Sequence, residues 1–174
     1  MRASRFLVIL GFIAIGMLSR LFPHPPNFTS INAIALFGTF YLGNQWLSLA
    51  TVFSTVFLSD LFLGSHSTIP FVYLSFGLST LLGHGLKEGN SLRRISMICF
   101  FSSLLFFLVT NFGVWMTNTC YPKTMEGLWV CYLAALPFFT NQILGDLAYA
   151  SLLFGFISFV KAFKPSAAMF TSIK

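Results

Sequence analysis

The chain alternates long apolar runs with short clusters of proline, glycine and small polar residues. The runs lack the one-sided polar stripe of a soluble helix. Six of them read as helices: Phe6 to Phe22, Ile31 to Gly43, Gln45 to Leu63, Pro70 to Leu86, Ile95 to Met116 and Leu136 to Val160. At about 1.5 Å per residue, most approach the roughly 30 Å of a hydrocarbon core. The second falls short of it. The stretch from Leu128 to Leu136 is apolar yet too short to cross, and reads as a hairpin or interfacial helix folded onto the bundle. The pattern predicts an all-α fold, a polytopic membrane bundle of about six transmembrane helices forming a single integral membrane domain over residues 1–174.

Composition sharpens this. The chain is 56% hydrophobic and only 8% charged, with 23 Phe. From Leu21 to Leu86 a single residue, Asp60, carries a formal charge. A soluble domain needs charged outer faces, so a lipid solvent is the consistent reading. The net charge of +6 does not point to nucleic acid, because its cations flank the apolar runs and form no basic face. Six spans with the N- and C-termini cytoplasmic place Arg2, Arg5, Lys87, Arg93, Arg94, Lys161, Lys164 and Lys174 inside, leaving Arg20 and Lys123 outside. Merging residues 31–63 into one span would move the basic loop outside and break the positive-inside rule. No small-x-small cleavage site precedes Arg20, so the first run is expected to remain as a helix.

This orientation gathers the unusual sequence on the outer side. Pro23-His-Pro-Pro-Asn-Phe-Thr29 predicts a stiff polyproline-type strap that displays His24 and Asn27 over a pocket. The long segment from Thr117 to Ala135 carries Tyr121, Trp129 and Tyr132, which suits a cap over a planar or apolar solute, and a Cys120 to Cys131 disulfide would brace it. Below it, Ser103, Phe107, Thr110, Asn111 and Val114 share a face of the fifth helix, and Gln142, Asp146 and Tyr149 recur on the sixth. Polar groups at that depth must face protein or a water-filled cavity. The expected solute contacts are Asn111, Trp115, Trp129, Gln142 and Asp146, with His24 and Asn27 above. Asp60 and Arg20 lie at similar depth and are expected to form a structural ion pair. Ser75, Ser79 and Gly83 make a small-residue row suited to close helix approach, within the bundle or against a partner.

Absences bound the chemistry. There is no G-x-x-x-x-G-K-[ST] loop, no H-E-x-x-H and no G-x-S-x-G. Cys99, Cys120 and Cys131 have no C-x-x-C spacing, and two loop histidines, His24 and His66, are too few for a metal centre. Neither an enzyme activity nor a metal or other cofactor is expected.

Several stretches carry a resemblance: Pro23-His-Pro-Pro-Asn-Phe-Thr29, Ile31-Asn-Ala-Ile-Ala-Leu-Phe-Gly38, Leu58-Ser-Asp-Leu-Phe-Leu-Gly64, Thr110-Asn-Phe-Gly-Val-Trp115, and Tyr121-Pro122 through Gly127-Leu128 to Pro137-Phe-Phe139. Together they resemble a family of small six-helix bacterial integral membrane proteins described as transport proteins. More distantly, the layout is similar to the substrate-binding (S) components of energy-coupling factor (ECF) transporters. That resemblance implies a multi-pass protein of the bacterial cytoplasmic (inner) membrane that captures a small organic, vitamin-like solute from outside. It also implies docking on a membrane coupling subunit served by two ATPases. Such components often carry A-x-x-x-A on the first helix, where this chain has Gly11, Ala14 and Gly16 at other spacings. Two other readings stay open: a solitary carrier coupled to protons through Asp146, and a structural or assembly factor that grips another membrane protein through the Ser75, Ser79, Gly83 row.

Overall fold

The computed structural model describes residues 2–86 and 90–163. All regular structure among them is helical: α1 Arg2–Leu21, α2 Ile31–Leu42, α3 Gln45–Leu63, α4 Ile69–Leu82 with a single 3-10 turn at Gly83–Gly85, α5 Leu92–Thr117 and α6 Met125–Phe163. Lys87, Lys164 and Lys174, to which the sequence reading assigned an inner location, lie outside the described residues.

Three helical stretches, Gln45–Leu63, Leu92–Thr117 and Met125–Phe156, are long and apolar enough to cross a membrane. Their outward faces carry Phe57, Leu61 and Phe62 on α3, Phe100, Phe101 and Leu108 on α5, and Leu133, Leu144, Leu152 and Phe156 on α6, all exposed. Large apolar side chains turned outward on neighbouring helices suit a membrane protein, since lipid tails need no polar cover.

The shortest spanning candidate turns out to be the centre. α2 packs against all five other helices, and Ile31 through Thr39 are buried without a break. A helix enclosed by protein need not match the lipid thickness, which explains why so short a run belongs to the bundle. Its small residues let neighbours come close. A Cβ on Gly38 would meet Ser48 Oγ at 2.9 Å, and one on Gly83 would meet the Leu36 carbonyl at 2.9 Å. Thr39 Oγ1 donates to the carbonyls of Ala35 and Thr80 at 3.0 and 3.1 Å. The Ser75, Ser79, Gly83 row therefore faces inward, with Ser75 and Ser79 fully buried and Gly83 seated on α2.

The α2 to α3 turn is written locally. Gly43 takes the left-handed conformation at φ 62°, and Asn44 caps α3 by accepting from the backbone amides of Trp46 and Leu47 at 2.9 and 3.2 Å. At the opposite end the expected long segment from Thr117 to Ala135 shrinks to a seven-residue turn, Asn118 to Thr124, because α6 begins at Met125 and runs through Pro137 without stopping. A proline read as a helix start is tolerated inside a long membrane-type helix, where neighbouring helices and small backbone adjustments re-satisfy the freed carbonyl. The turn is closed by Trp115 Nε1, which donates to the Pro122 carbonyl at 2.9 Å, and by Lys123 Nζ, which donates to the carbonyls of Trp115 and Asn118. Cys120 and Cys131 are free thiols rather than a disulfide. Cys131 is buried with its Sγ 3.6 Å from the Asn111 carbonyl, whereas Cys120 is exposed on the turn.

Candidate functional site

Two loops and the α5 to α6 turn meet at one end of the bundle, where a cavity of about 630 Å³ runs inward between α2, α4, α5 and α6. His24, Pro26, Asn27, His66, Thr68 and Tyr121 line its mouth. Val72, Phe76, Phe106, Val114, Ala134 and Phe138 form largely apolar walls, interrupted by Thr110 and Asn111. Asn32, Gln142 and Asp146 form the inner end.

The mouth is shaped by residues 22–30, which form a turn rather than the extended strap that three prolines suggest. Phe28 N–H donates to the Pro25 carbonyl at 3.0 Å, with Asn27 at φ 64°. Pro26 sets the preceding φ, and asparagine is the residue other than glycine that best tolerates the left-handed region. Beyond the turn, Phe28 settles on α6, with its Cα 3.1 Å from where a Cβ of Gly145 would stand and its ring 5.9 Å from that of Tyr149. The absence of a side chain at Gly145 thus seats the loop directly above Asp146. His24 is held by its own loop, with its ring nitrogens 2.7 Å from the Pro25 carbonyl and 3.3 Å from that of Arg20.

At the rim, Arg20 of α1 contacts Asp60 of α3 at 2.7 Å, with its other arm on Ser59 Oγ and the Val56 carbonyl. The two side chains are 15% and 10% exposed. Apart from this contact, no donor among the described residues reaches either Asp60 oxygen. The guanidinium charge is balanced by Asp60, so it adds little free positive charge to the cavity.

The inner end is a hydrogen-bond network joining four helices. Ser102 Oγ donates to Ser79 Oγ at 2.9 Å, Ser79 Oγ to Asn32 Oδ1 at 3.0 Å, and Asn32 Nδ2 to Asp146 Oδ2 at 3.0 Å. Ser103 Oγ donates to the same Asp146 oxygen at 2.6 Å. Every donor in this chain is directed toward the carboxylate, which is 2% exposed. Beside it, Gln142 Nε2 donates to the Ser103 carbonyl at 3.1 Å, while its Oε1 is buried with no hydrogen-bond partner. The carbonyl acceptor fixes the amide orientation, since a flipped amide would set two oxygens against each other.

Of the residues expected from the sequence, Asn111, Gln142, Asp146, His24 and Asn27 line this one cavity. Trp115 and Trp129 do not. Trp115 spends its N–H on the turn, and Trp129 is 65% exposed on the outer face of α6. The physical reason is the helical start at Met125, which puts residue 129 on a helix surface instead of in a loop folded over the pocket. Asn32 was missed as a site residue. The signal was available, as it is the one carboxamide in an otherwise apolar second helix, and such a group in a buried helix must find a partner. No group of three or more metal-ligating side chains occurs among the described residues.

No curated protein and no solved structure matches this chain. A family model does match, over residues 1–168, and by it the chain belongs to a family of unknown function, DUF6580.

Proposed function

We propose that this chain is a six-span protein of the bacterial cytoplasmic membrane, with both termini inside, that captures a small organic solute from the outer side. The observation that carries this reading is the cavity of about 630 Å³, open among the mouth loops and closed inward by Asn32, Gln142 and Asp146. Its volume falls within the roughly 300 to 1,000 Å³ of small-molecule sites, and its apolar walls with a few convergent polar groups have the usual make-up of such sites. With no nucleotide-binding loop of its own, the chain would act as the capture subunit of an ECF-type uptake system, energised by a coupling subunit and two ATPases. The inward-facing Ser75, Ser79, Gly83 row weakens the assembly-factor reading, since it leaves that row no surface to offer a partner.

Two experiments test this. Purified full-length chain in lipid nanodiscs, titrated with a panel of water-soluble vitamins, should rise in melting temperature with at least one member and release a bound solute in native mass spectrometry. The absence of both stabilisation and a released solute would sink the capture reading. Orientation has its own test in Cys120, the exposed thiol of the described residues. In intact cells a membrane-impermeant maleimide should label Cys120, and a Cys120→Ser variant should abolish the labelling. Labelling that requires permeabilised cells would reverse the proposed topology.

The buried Asp146 also favours a second reading, a solitary proton-coupled carrier. In that case the chain alone in proteoliposomes should take up solute under a pH gradient, and Asp146→Asn should abolish the uptake. A capture subunit without its ATPases should show none.

A further inference from the structure

We infer that the inner end of the cavity selects solutes by a cationic N–H donor group, such as a primary ammonium or an amidinium-type pair, and disfavours carboxylate-terminated ones. This rests on the capture reading and adds the chemical class of the ligand.

The inner end is defined by the hydrogen-bonding capacity that its own network leaves over. Gln142 is 3% exposed, lines the cavity, and has its donor side tied to the Ser103 carbonyl, so what it leaves open is an acceptor, Oε1. A buried acceptor without a partner is unfavourable and rare, and a ligand N–H relieves it. Asp146 points the same way. It accepts from Asn32 and Ser103, both on Oδ2, and lines the same cavity. The inner end therefore presents the unmet Gln142 acceptor beside the Asp146 carboxyl.

Charge agrees with this. The side-chain donors around Asp146, amides and a hydroxyl, are all neutral. Of the basic side chains that line the cavity, Arg20 is paired with Asp60. His24 and His66 stand at the mouth, His24 against two backbone carbonyls and His66 against Thr68 Oγ1. No basic side chain of the described lining is matched to Asp146, so a ligand ammonium would supply the missing countercharge in a setting where charge-assisted hydrogen bonds are strongest. A carboxylate there would face Asp146 and the lone pairs of Gln142. Phe76, Phe106 and Phe138 suit an apolar or aromatic body attached to that group.

The test uses full-length chain in lipid nanodiscs, with the vitamin panel sorted by functional group and supplemented by benzylamine, benzamidine, benzoate and benzyl alcohol. Among all compounds that bind, those with a cationic N–H group should bind tightest, and benzoate should not bind. Gln142→Met should weaken their binding at least about tenfold, and Asp146→Asn about a hundredfold. The unliganded melting temperature of each variant separates a folding defect from a lost contact. Should Asp146→Asn fail to fold, Gln142→Met alone decides. The inference is overturned, with solute capture intact, if compounds bind but carboxylates or neutral compounds bind as well as amines, or if folded Gln142→Met keeps the parent affinity. Binding by no compound at all would overturn this inference and the capture reading together.

Discussion

Arg20→Ala should lower stability by about 3 to 5 kcal/mol, the usual effect of stripping one partner from a buried ion pair. Asp60 is 10% exposed and, among the described residues, its only polar contact is the Arg20 guanidinium, so the variant leaves a bare carboxylate between α1 and α3. The reverse change should be milder. In Asp60→Asn the guanidinium still donates to Ser59 Oγ and the Val56 carbonyl, and the new side chain is neutral. Replacing both, as Arg20→Met with Asp60→Leu, should recover most of the loss, because an apolar pair of similar bulk removes the desolvation problem along with the attraction. Thermal unfolding of the four proteins in detergent reads this ordering directly. If Arg20→Ala melts within about 2 °C of the parent, water reaches the pair and the rim does not depend on it.

The second large effect belongs to Asn32→Leu, for which a loss of about 2 to 3 kcal/mol is expected. Hydrogen bonds between membrane helices average only about 0.6 kcal/mol, so an ordinary Ser or Thr contact would barely register. Asn32 is different in what it leaves behind. It accepts a hydrogen bond from Ser79 on α4 and donates one to Asp146 on α6, and it is 3% exposed. Leucine fills the same space but orphans a buried hydroxyl and removes a donor from a buried carboxylate. Ser79→Ala should do much less, since it removes a single neutral donor. A double-mutant cycle with Asp146→Leu should show strong non-additivity, because the second change removes the group that the first left unsatisfied. Equal losses for Asn32→Leu and Ser79→Ala would show that Asn32 is not the hub of this network.

The two predictions depend on different kinds of information. The Arg20 to Asp60 pair could be anticipated along the chain, since two charges in an apolar setting at matched depth have few alternatives. Asn32 could not be weighted in this way. Its importance comes from α2 being the enclosed helix, and the sequence marked α2 only as the shortest run. The fold class was legible because a chain this poor in charge must satisfy its backbone within helices. The ends of α3, Gln45 and Leu63, were legible too, because Asn44 and Gly64 punctuate it. Where punctuation was ambiguous, the reading failed. Proline favours the first helical turn, which points to a start at Leu136, whereas α6 starts at Met125 and Trp129 does not touch the pocket.

The sequence by itself determined the all-helical class, the apolar runs that suit a membrane and the polar residues that call for burial. Local spacing sufficed for that, because the absence of charge and the period of the apolar runs are properties of the chain. Only the tertiary structure decided which helix lies at the centre, that a chain of donors from Ser102 through Ser79 and Asn32 meets Ser103 at Asp146, and that Gln142 keeps an unused acceptor beside the cavity. Those facts depend on the rotation and depth of each helix against its neighbours. Rotation and depth are fixed by close packing at small residues such as Gly38, Gly83 and Gly145, whose significance appears only once the opposing surface is in place.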